Sequence, residues 1–444
     1  MSLTQSDADL AGPPPARSRS LDLLWSAQSS GKRILILSIG AFVLLSFVRL
    51  HTGAYDLTSS GTVIEMLHQG LPILFAGLSG LWAERVGVVN IGIEGMMTLG
   101  AWAGGFGAWK YGPWVGIVFA IIGGTIGGLV HALATVRYNV DHVISGFAIN
   151  LLAAGTVRYL SAVYFVGQKG THGGVGSVSQ SPPQRGTIPE VTLRFITDKS
   201  NAGCLSNPKG MLWLECKRWF IVSDATGVVR GFLTGMSLMT IIGLLLVPVT
   251  AWIMWRTRFG LRLRSSGEAP YAAESLGVKV PRLRYVALLI SGAMAGLGGG
   301  YLAIVSNTQY KENITANRGY IGLATMIFGN WRPSGLLGGA GLFSFAEALR
   351  LRNQKSVPAL LLFVALLLIA FTIVAVFRQK WFIVAFSAVA AVGFFAAYAT
   401  LNKVPNDLSS AAPYVITLIV LASASQRLRP PAFSGRPYRP GDSH

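Results

Sequence analysis

The chain has 444 residues, 52% of them hydrophobic and only 12% charged, with a mean hydropathy of +0.51. Soluble domains carry about 25% charged residues, so this composition excludes an ordinary soluble fold and points to an all-α polytopic membrane helix bundle. The net charge of +19 would suggest nucleic acid in a soluble protein; here cytoplasmic loops facing anionic lipid headgroups account for it, and no nucleic-acid partner is expected.

Residues 1–33 are polar and carry Pro13, Pro14 and Pro15, the composition of a disordered tail. A window of about 19 residues then places spans near 34–49, 62–83, 86–109, 113–136, 143–166, 230–255, 285–306, 319–331, 336–350, 357–377, 381–401 and 411–425. The segments 319–331 and 336–350 are short for an upright crossing and read as half-helices or one tilted hairpin. With 357–401 counted as an added pair, about 10–12 transmembrane helices are expected. Lys32 and Arg33 precede the first span, and a cytoplasmic N-terminus puts most Lys and Arg outside the long loop on one side, as the positive-inside rule requires. The tail 426–444 falls on the cytoplasmic side too, and the loop 167–229 falls outside.

Several embedded residues carry polar chemistry. In 83–102, Asn90 and Glu94 stand four apart and so are expected to share one helix face. A carboxylate within an apolar span needs a partner or a cavity, so the pair reads either as part of a translocation path or as an internal lock on a broken helix. Asn150 and Asn307 are further path candidates, with Gln309 beside the latter. Arg158 could pair with Glu94 or Glu347, and His131 reads as a packing residue. The pairs Gly100/Gly104 and Gly123/Gly127 and the run Gly292/Gly296/Gly300 have the spacing that lets helix backbones approach closely. Cys204 and Cys216, the only cysteines, both fall in the outer loop, where a disulfide is permitted. Without a CxxC, a Cys-based metal centre is not expected. Neither P-loop, HExxH, GxSxG nor dinucleotide fingerprint occurs. The sequence therefore predicts no catalysis, no cofactor and no metal, with energy taken from a gradient or a partner.

Between two spans, 256–284 holds Arg256, Arg258, Arg262, Arg264, Lys279, Arg282 and Arg284, together with a short helix candidate from Ala269 to Leu276 closed by Gly277. A helix on the cytoplasmic face of a multispan protein reads as a lever for a soluble partner.

This loop resembles the coupling loop of binding-protein-dependent ABC importer permeases. The pattern Gly267, Glu268, Pro270, Ala272, Ala273 and then Gly277 is similar to that of the family transporting branched-chain amino acids, simple sugars and nucleosides, although Tyr271 stands where the broader permease signature has Glu. The stretches 84–97, 318–335 and 409–422 resemble nucleoside-type permeases. The resemblance covers roughly 60–425 and, with the first span added, gives an expected permease domain over 34–425, with the insertion 167–229 and the helix pair 357–401 as departures. It implies that Gly267, Glu268, Pro270, Ala272, Ala273 and Gly277 couple to separate ATPase subunits, that a second permease chain, commonly a different one, completes the path, and that an extracytoplasmic lipoprotein delivers the solute. The expected function is ATP-driven import across a bacterial cell membrane, with nucleosides as solute; sugars or branched-chain amino acids are the alternative. An ion-coupled secondary transporter would leave the 267–277 pattern unexplained.

Overall fold

The computed structural model describes residues 30–168, 180–191, 210–352, 356–379, 381–400, 428–439 and 441. Residues 1–29 of the expected N-terminal tail, Cys204 and the span 411–425 lie outside them; the last four residues expected in the tail, 30–33, are instead the start of the first helix.

In chain order the helices are α1 (Ser30–Thr52), α2 (Ser60–Arg85), α3 (Ile93–Tyr111), α4 (Pro113–Ala132, extended by a π-turn over Leu133–Arg137), α5 (His142–Tyr164), α6 (Gly210–Cys216), α7 (Val222–Leu233), α8 (Leu238–Arg256), α9 (Arg258–Glu268), α10 (Pro270–Ser275), α11 (Val280–Tyr301, with a π-turn over Leu302–Ser306), α12 (Arg318–Phe328), α13 (Pro333–Arg352), α14 (Val357–Phe377) and α15 (Trp381–Thr400). Two dipeptide strands, Glu190–Val191 and Met236–Ser237, pair antiparallel. The bundle is all-α as expected. Each expected span up to 381–401 overlaps at least one helix, and among the described residues seven helices are long and apolar enough to cross a membrane.

Two span boundaries move. The segment 86–109 opens with seven non-helical residues, because Gly87 adopts a positive φ of 92° and α3 begins only at Ile93. The segment 230–255 is two helices: Gly235 at φ 66° ends α7, and Ser237 caps α8 by accepting the Thr240 amide. Elsewhere local chemistry sets the starts. Pro113 opens α4 after Gly112, and the Asp141 carboxylate caps α5 through the amides of Val143 and Ile144.

The chain forms two compact units. The first comprises Ser60–Ser200, Val229–Ala348 and Ser410–His444. Its centre is α3, α4 and α11, packed on one another and flanked by α2. Glycines singled out by spacing, such as Gly296, together with Gly124 beside the pair Gly123/Gly127, make this packing possible. A Cβ on Gly296 would lie 2.2 Å from the Ala120 carbonyl oxygen, and one on Gly124 would lie 2.2 Å from that of Gly292. In lipid, where apolar burial gives little drive to association, such close backbone contact supplies the dispersion energy.

The second unit comprises Met1–Ser59, Asn201–Val228 and Leu349–Ser409. Val48, Leu57, Leu349, Ala359 and Leu362 form its core. A buried ion pair, Arg49 Nε to Asp224 Oδ1 at 2.8 Å, ties α1 to α7, and the Thr58 hydroxyl donates to the same Asp224 oxygen. Helices α14 and α15 form an apolar hairpin joined by a hydrogen bond from Thr372 to Ser387 at 2.7 Å.

Candidate functional site

Three features of the first unit carry its chemistry: the broken entry to α3, the N-terminus of α12, and the α9–α10 corner.

The break at 86–92 exposes backbone polar groups inside the bundle, and groups without water must find protein partners. Side chains supply them. Asn150 of α5 accepts the Gly95 amide at 2.7 Å and donates to the Ile91 carbonyl at 3.1 Å. His131 of α4 reaches the Val89 carbonyl at 3.1 Å and the Ser145 hydroxyl at 2.9 Å, which is the packing role expected of it. Asn90 is wholly buried and donates to Ser291 of α11 at 2.9 Å, and Ser291 in turn meets Ser79 of α2 at 2.9 Å. Asn90 thus precedes α3 and does not share a helix face with Glu94. The glycines around it make the helical reading fail there.

Glu94, in the first turn of α3, aims at the start of α12. Its carboxylate accepts the Asn317 amide at 3.0 Å and the Gly319 amide at 2.7 Å. A negative charge there satisfies orphan donors and complements the helix dipole. Asn317 adopts a left-handed conformation at φ 63° to present its amide, and a Cβ on Gly319 would sit 2.6 Å from Glu94 Oε2, so Gly is required at that approach. Beside this cap, the Asn150 amide donates to the Tyr320 hydroxyl at 2.8 Å, while Arg318 donates to Gln69 at 2.9 Å and Gln69 to Glu65 at 2.7 Å. Glu94, Asn150, Gln69 and Arg318 are half-buried and Tyr320 is exposed, so this polar face stays reachable. Asn307 does not join it: exposed at the end of the π-turn of α11, it donates locally to the Leu302 carbonyl at 2.9 Å. Arg158 pairs with neither expected carboxylate. It is exposed and stands 3.9 Å from Glu312, because α5 turns that face outward.

At the α9–α10 corner, Gly267 is buried against the end of α2: a Cβ there would lie 2.3 Å from the Arg85 carbonyl oxygen. Glu268 ends α9, 4.0 Å from Arg85. Pro270 opens α10, Ala273 is buried and Ala272 is exposed. The expected helix over 269–276 is the six residues Pro270–Ser275. Gly277 follows at φ 82° with open space around it, and Leu276 is 84% exposed. A rigid short helix thus presents an apolar knob to its surroundings. The end of α2 is latched to the α12–α13 loop: Trp331 Nε1 donates to Glu84 at 2.6 Å, and Arg85 Nε donates to the Trp331 carbonyl at 3.1 Å. Glu84 lies just past the 62–83 span, and burial pushes its carboxyl up to about 7 although Trp331 and Arg85 oppose the shift.

Residues 62–373 match the family model described as branched-chain amino acid transport system / permease component. The chain belongs to this permease family. The match takes in the α3 entry, the α9–α10 corner, α12 and most of α14. The permease is 30% identical to the nucleoside ABC transporter permease protein NupC of Lactococcus lactis subsp. cremoris, over 72% of this chain and 92% of that one. It is 27% identical to the guanosine ABC transporter permease protein NupQ of Bacillus subtilis, over 83% and 93%. It is 32% identical to a putative glucose ABC transporter permease protein, TsgC13, of Haloferax volcanii, over 67% and 79%. No solved structure matches the permease.

Sequence reasoning missed the Glu84–Arg85–Trp331 latch, Tyr320 and the packing of residues 428–439 on the α9–α10 corner. The cluster of Trp331, Arg332 and Pro333 beside Gly329 marked a sharp turn at the latch, and three aromatic or proline-rich positions near 431–438 marked the last.

Proposed function

We propose that this permease is a transmembrane subunit of an ATP-driven, binding-protein-dependent importer of nucleosides. The observation that carries the reading is the α9–α10 corner, a six-residue helix seated by Gly267 and ended by Gly277, with Leu276 projecting. A separate ATPase subunit docks there through Glu268, Ala272 and their neighbours, with Pro270 and Ala273 buried behind that surface to hold the helix in place. Closure of the ATPases around ATP selects between two packings of the bundle, and a conformational change has to be driven by such a difference in binding energy. A second permease chain, different from this one, completes the path, and an extracytoplasmic lipoprotein loads it. No cofactor or metal takes part. The solute passes the face carrying Glu94 and Asn150, with Asn90 holding the break behind it. Nucleoside import is favoured by the two nucleoside-type relatives. Import of a sugar is the second reading, favoured by the glucose-type relative, and equilibrium binding of nucleosides and hexoses to the partner lipoprotein separates the two.

The test is at Gly277. Aspartate at φ 82° is strained by about 1–2 kcal/mol and puts a charge beside Leu276. Gly277→Asp should insert normally and abolish transport, and a crosslinker at Leu276→Cys should capture the ATPase in the parent chain. Normal transport by the variant, or absence of the crosslink, defeats the docking reading. Transport that stops on collapse of the proton gradient while ATP is held constant would instead favour an ion-coupled carrier.

The same reading puts both termini and the α9–α10 corner in the cytoplasm of a bacterial cell and 167–229 outside. Cys216 closes α6, and its pairing with Cys204 would stiffen the outer loop by about 3 kcal/mol. A membrane-impermeant maleimide should label intact cells only after a reductant is added; labelling only of broken membranes would reverse the orientation.

A further inference from the structure

Residues 428–439, turned at 432–435, pack against the corner and against the break at the same time. The Ala432 amide donates to Glu268 at 3.0 Å, and the Phe433 amide donates to the Gly267 carbonyl at 3.0 Å. Two residues on, the Gly435 amide donates to the Gly87 carbonyl at 3.2 Å, and upstream the Arg429 amide donates to Asn330 at 2.8 Å. One short segment therefore bonds to the end of α9, to the turn that opens the α3 entry, and to the α12–α13 loop. Gly87 is required at the crossing: its φ is 92°, and a Cβ would meet the Phe433 carbonyl oxygen at 3.3 Å and Arg284 at 3.1 Å.

The side chains reinforce the seat. Tyr271 of α10 meets Phe433 edge-on at 5.7 Å and Tyr438 at 5.3 Å, and Ala273, Val280 and Tyr438 form a small core of their own. Arg284 of α11 is 1% exposed, has no carboxylate within ion-pair distance among the described residues, and leaves Nε and Nη2 without a hydrogen-bond partner. What faces its guanidinium is aromatic: Tyr438 at 5.1 Å and Phe433 at 5.9 Å. A buried cation is costly unless compensated, and cation–π contact gains strength when desolvated. The segment and Arg284 thus hold each other in place. None of the segment's aromatic anchors faces outward as a docking group would, since Tyr438 is buried and Phe433 half-buried.

We propose that residues 428–439 are a transmission strap, and that Phe433, Tyr438 and Arg284 are positioning residues that bind α10 to the turn at Gly87. Movement imposed on α10 then reaches Asn90 and Glu94, which follow that turn by three and seven residues, rather than being lost in the α9–α10 corner. The strap rests on the reading of α10 as the ATPase seat. It adds that α10 alone is an incomplete lever.

The test uses the whole importer in proteoliposomes, with the Phe433→Ala/Tyr438→Ala double variant beside Tyr438→Phe, which keeps the ring over Arg284. Solute moved per ATP hydrolysed, the rate of hydrolysis and the Leu276→Cys crosslink are measured together. The double variant should crosslink and hydrolyse ATP like the parent and move about ten-fold less solute per ATP, whereas Tyr438→Phe stays near the parent. An unchanged solute-to-ATP ratio overturns the strap. So does a parallel loss of crosslink, hydrolysis and transport, since that marks a role in folding or docking alone. A parent chain that never crosslinks to the ATPase overturns the docking reading itself, an outcome separate from both.

Discussion

Helix α11 with its π-turn and the α14–α15 hairpin are both apolar enough to cross a membrane, yet their surroundings differ. The most apolar stretch of Val280–Ser306 is 72% buried, against 17% for that of Pro358–Phe377 and 11% for that of Trp381–Thr400. Hydropathy runs the other way, both hairpin helices being more apolar than the first. The more apolar segments are the less buried, because hydropathy measures compatibility with lipid and not with protein. What buries α11 is its small residues, which admit the backbones of α3 and α4. The hairpin helices instead leave Phe371, Ile373, Phe382 and Phe386 exposed.

The largest expected effect breaks that difference at its centre. Gly296→Leu places side-chain atoms where the Ala120 carbonyl stands. Overpacking costs about 1–3 kcal/mol, more when only backbone can yield, so little folded protein should be recovered from the membrane. Gly393→Leu in α15 meets nothing within 4 Å and should stay within about 0.5 kcal/mol of the parent. Melting curves in detergent compare the two. Equal losses would show that burial in α11 does not depend on backbone contact.

A smaller effect separates the polar contacts. Glu94→Ala strips the acceptor from two amides at the start of α12, and hydrogen bonds to a charged group are worth about 1.5–3 kcal/mol. Transport should fall further than the amount of protein in the membrane; equal falls would reduce Glu94 to a structural cap. Ser387→Ala in the hairpin removes a contact of the class averaging about 0.6 kcal/mol and should leave transport intact.

The third effect is one of pH and belongs to the bundle alone, since the hairpin helices carry no Asp or Glu. Glu84 is pushed up to about 7 from 4.5. Between those values the folded chain keeps a proton that the unfolded chain releases, so this group's contribution to stability is full below pH 4.5, falls as pH rises toward 7, and is flat above. Glu84→Gln should abolish that slope, read as the difference in melting temperature between variant and parent from pH 4.5 to 8. A slope that persists in the variant assigns the titration elsewhere.

Much of this was legible in the sequence. Length of apolar runs placed the helices, since a segment that must satisfy its own backbone in lipid has little choice but to coil. Glycine spacing marked the packing faces, and Gly277 marked the end of α10. The i,i+4 reading of Asn90 and Glu94 was lost because helix periodicity assumes an unbroken helix. The break at 86–92 is stabilised by Asn150, His131 and Ser291, which lie far along the chain and become its partners only on folding. Arg158 found Glu312 for the same reason: the choice among carboxylates is one of distance.

The sequence by itself determined that the chain is a membrane bundle and where the stretch resembling a permease coupling loop lies, because local composition and short motifs carry both. Only the tertiary structure decided that Glu94 caps α12, that Trp331 latches the end of α2, and that residues 428–439 cross from Gly267 to Gly87. Each of those is a hydrogen bond between segments remote in sequence, and a donor without a local partner does not announce in its own residues which distant acceptor will satisfy it.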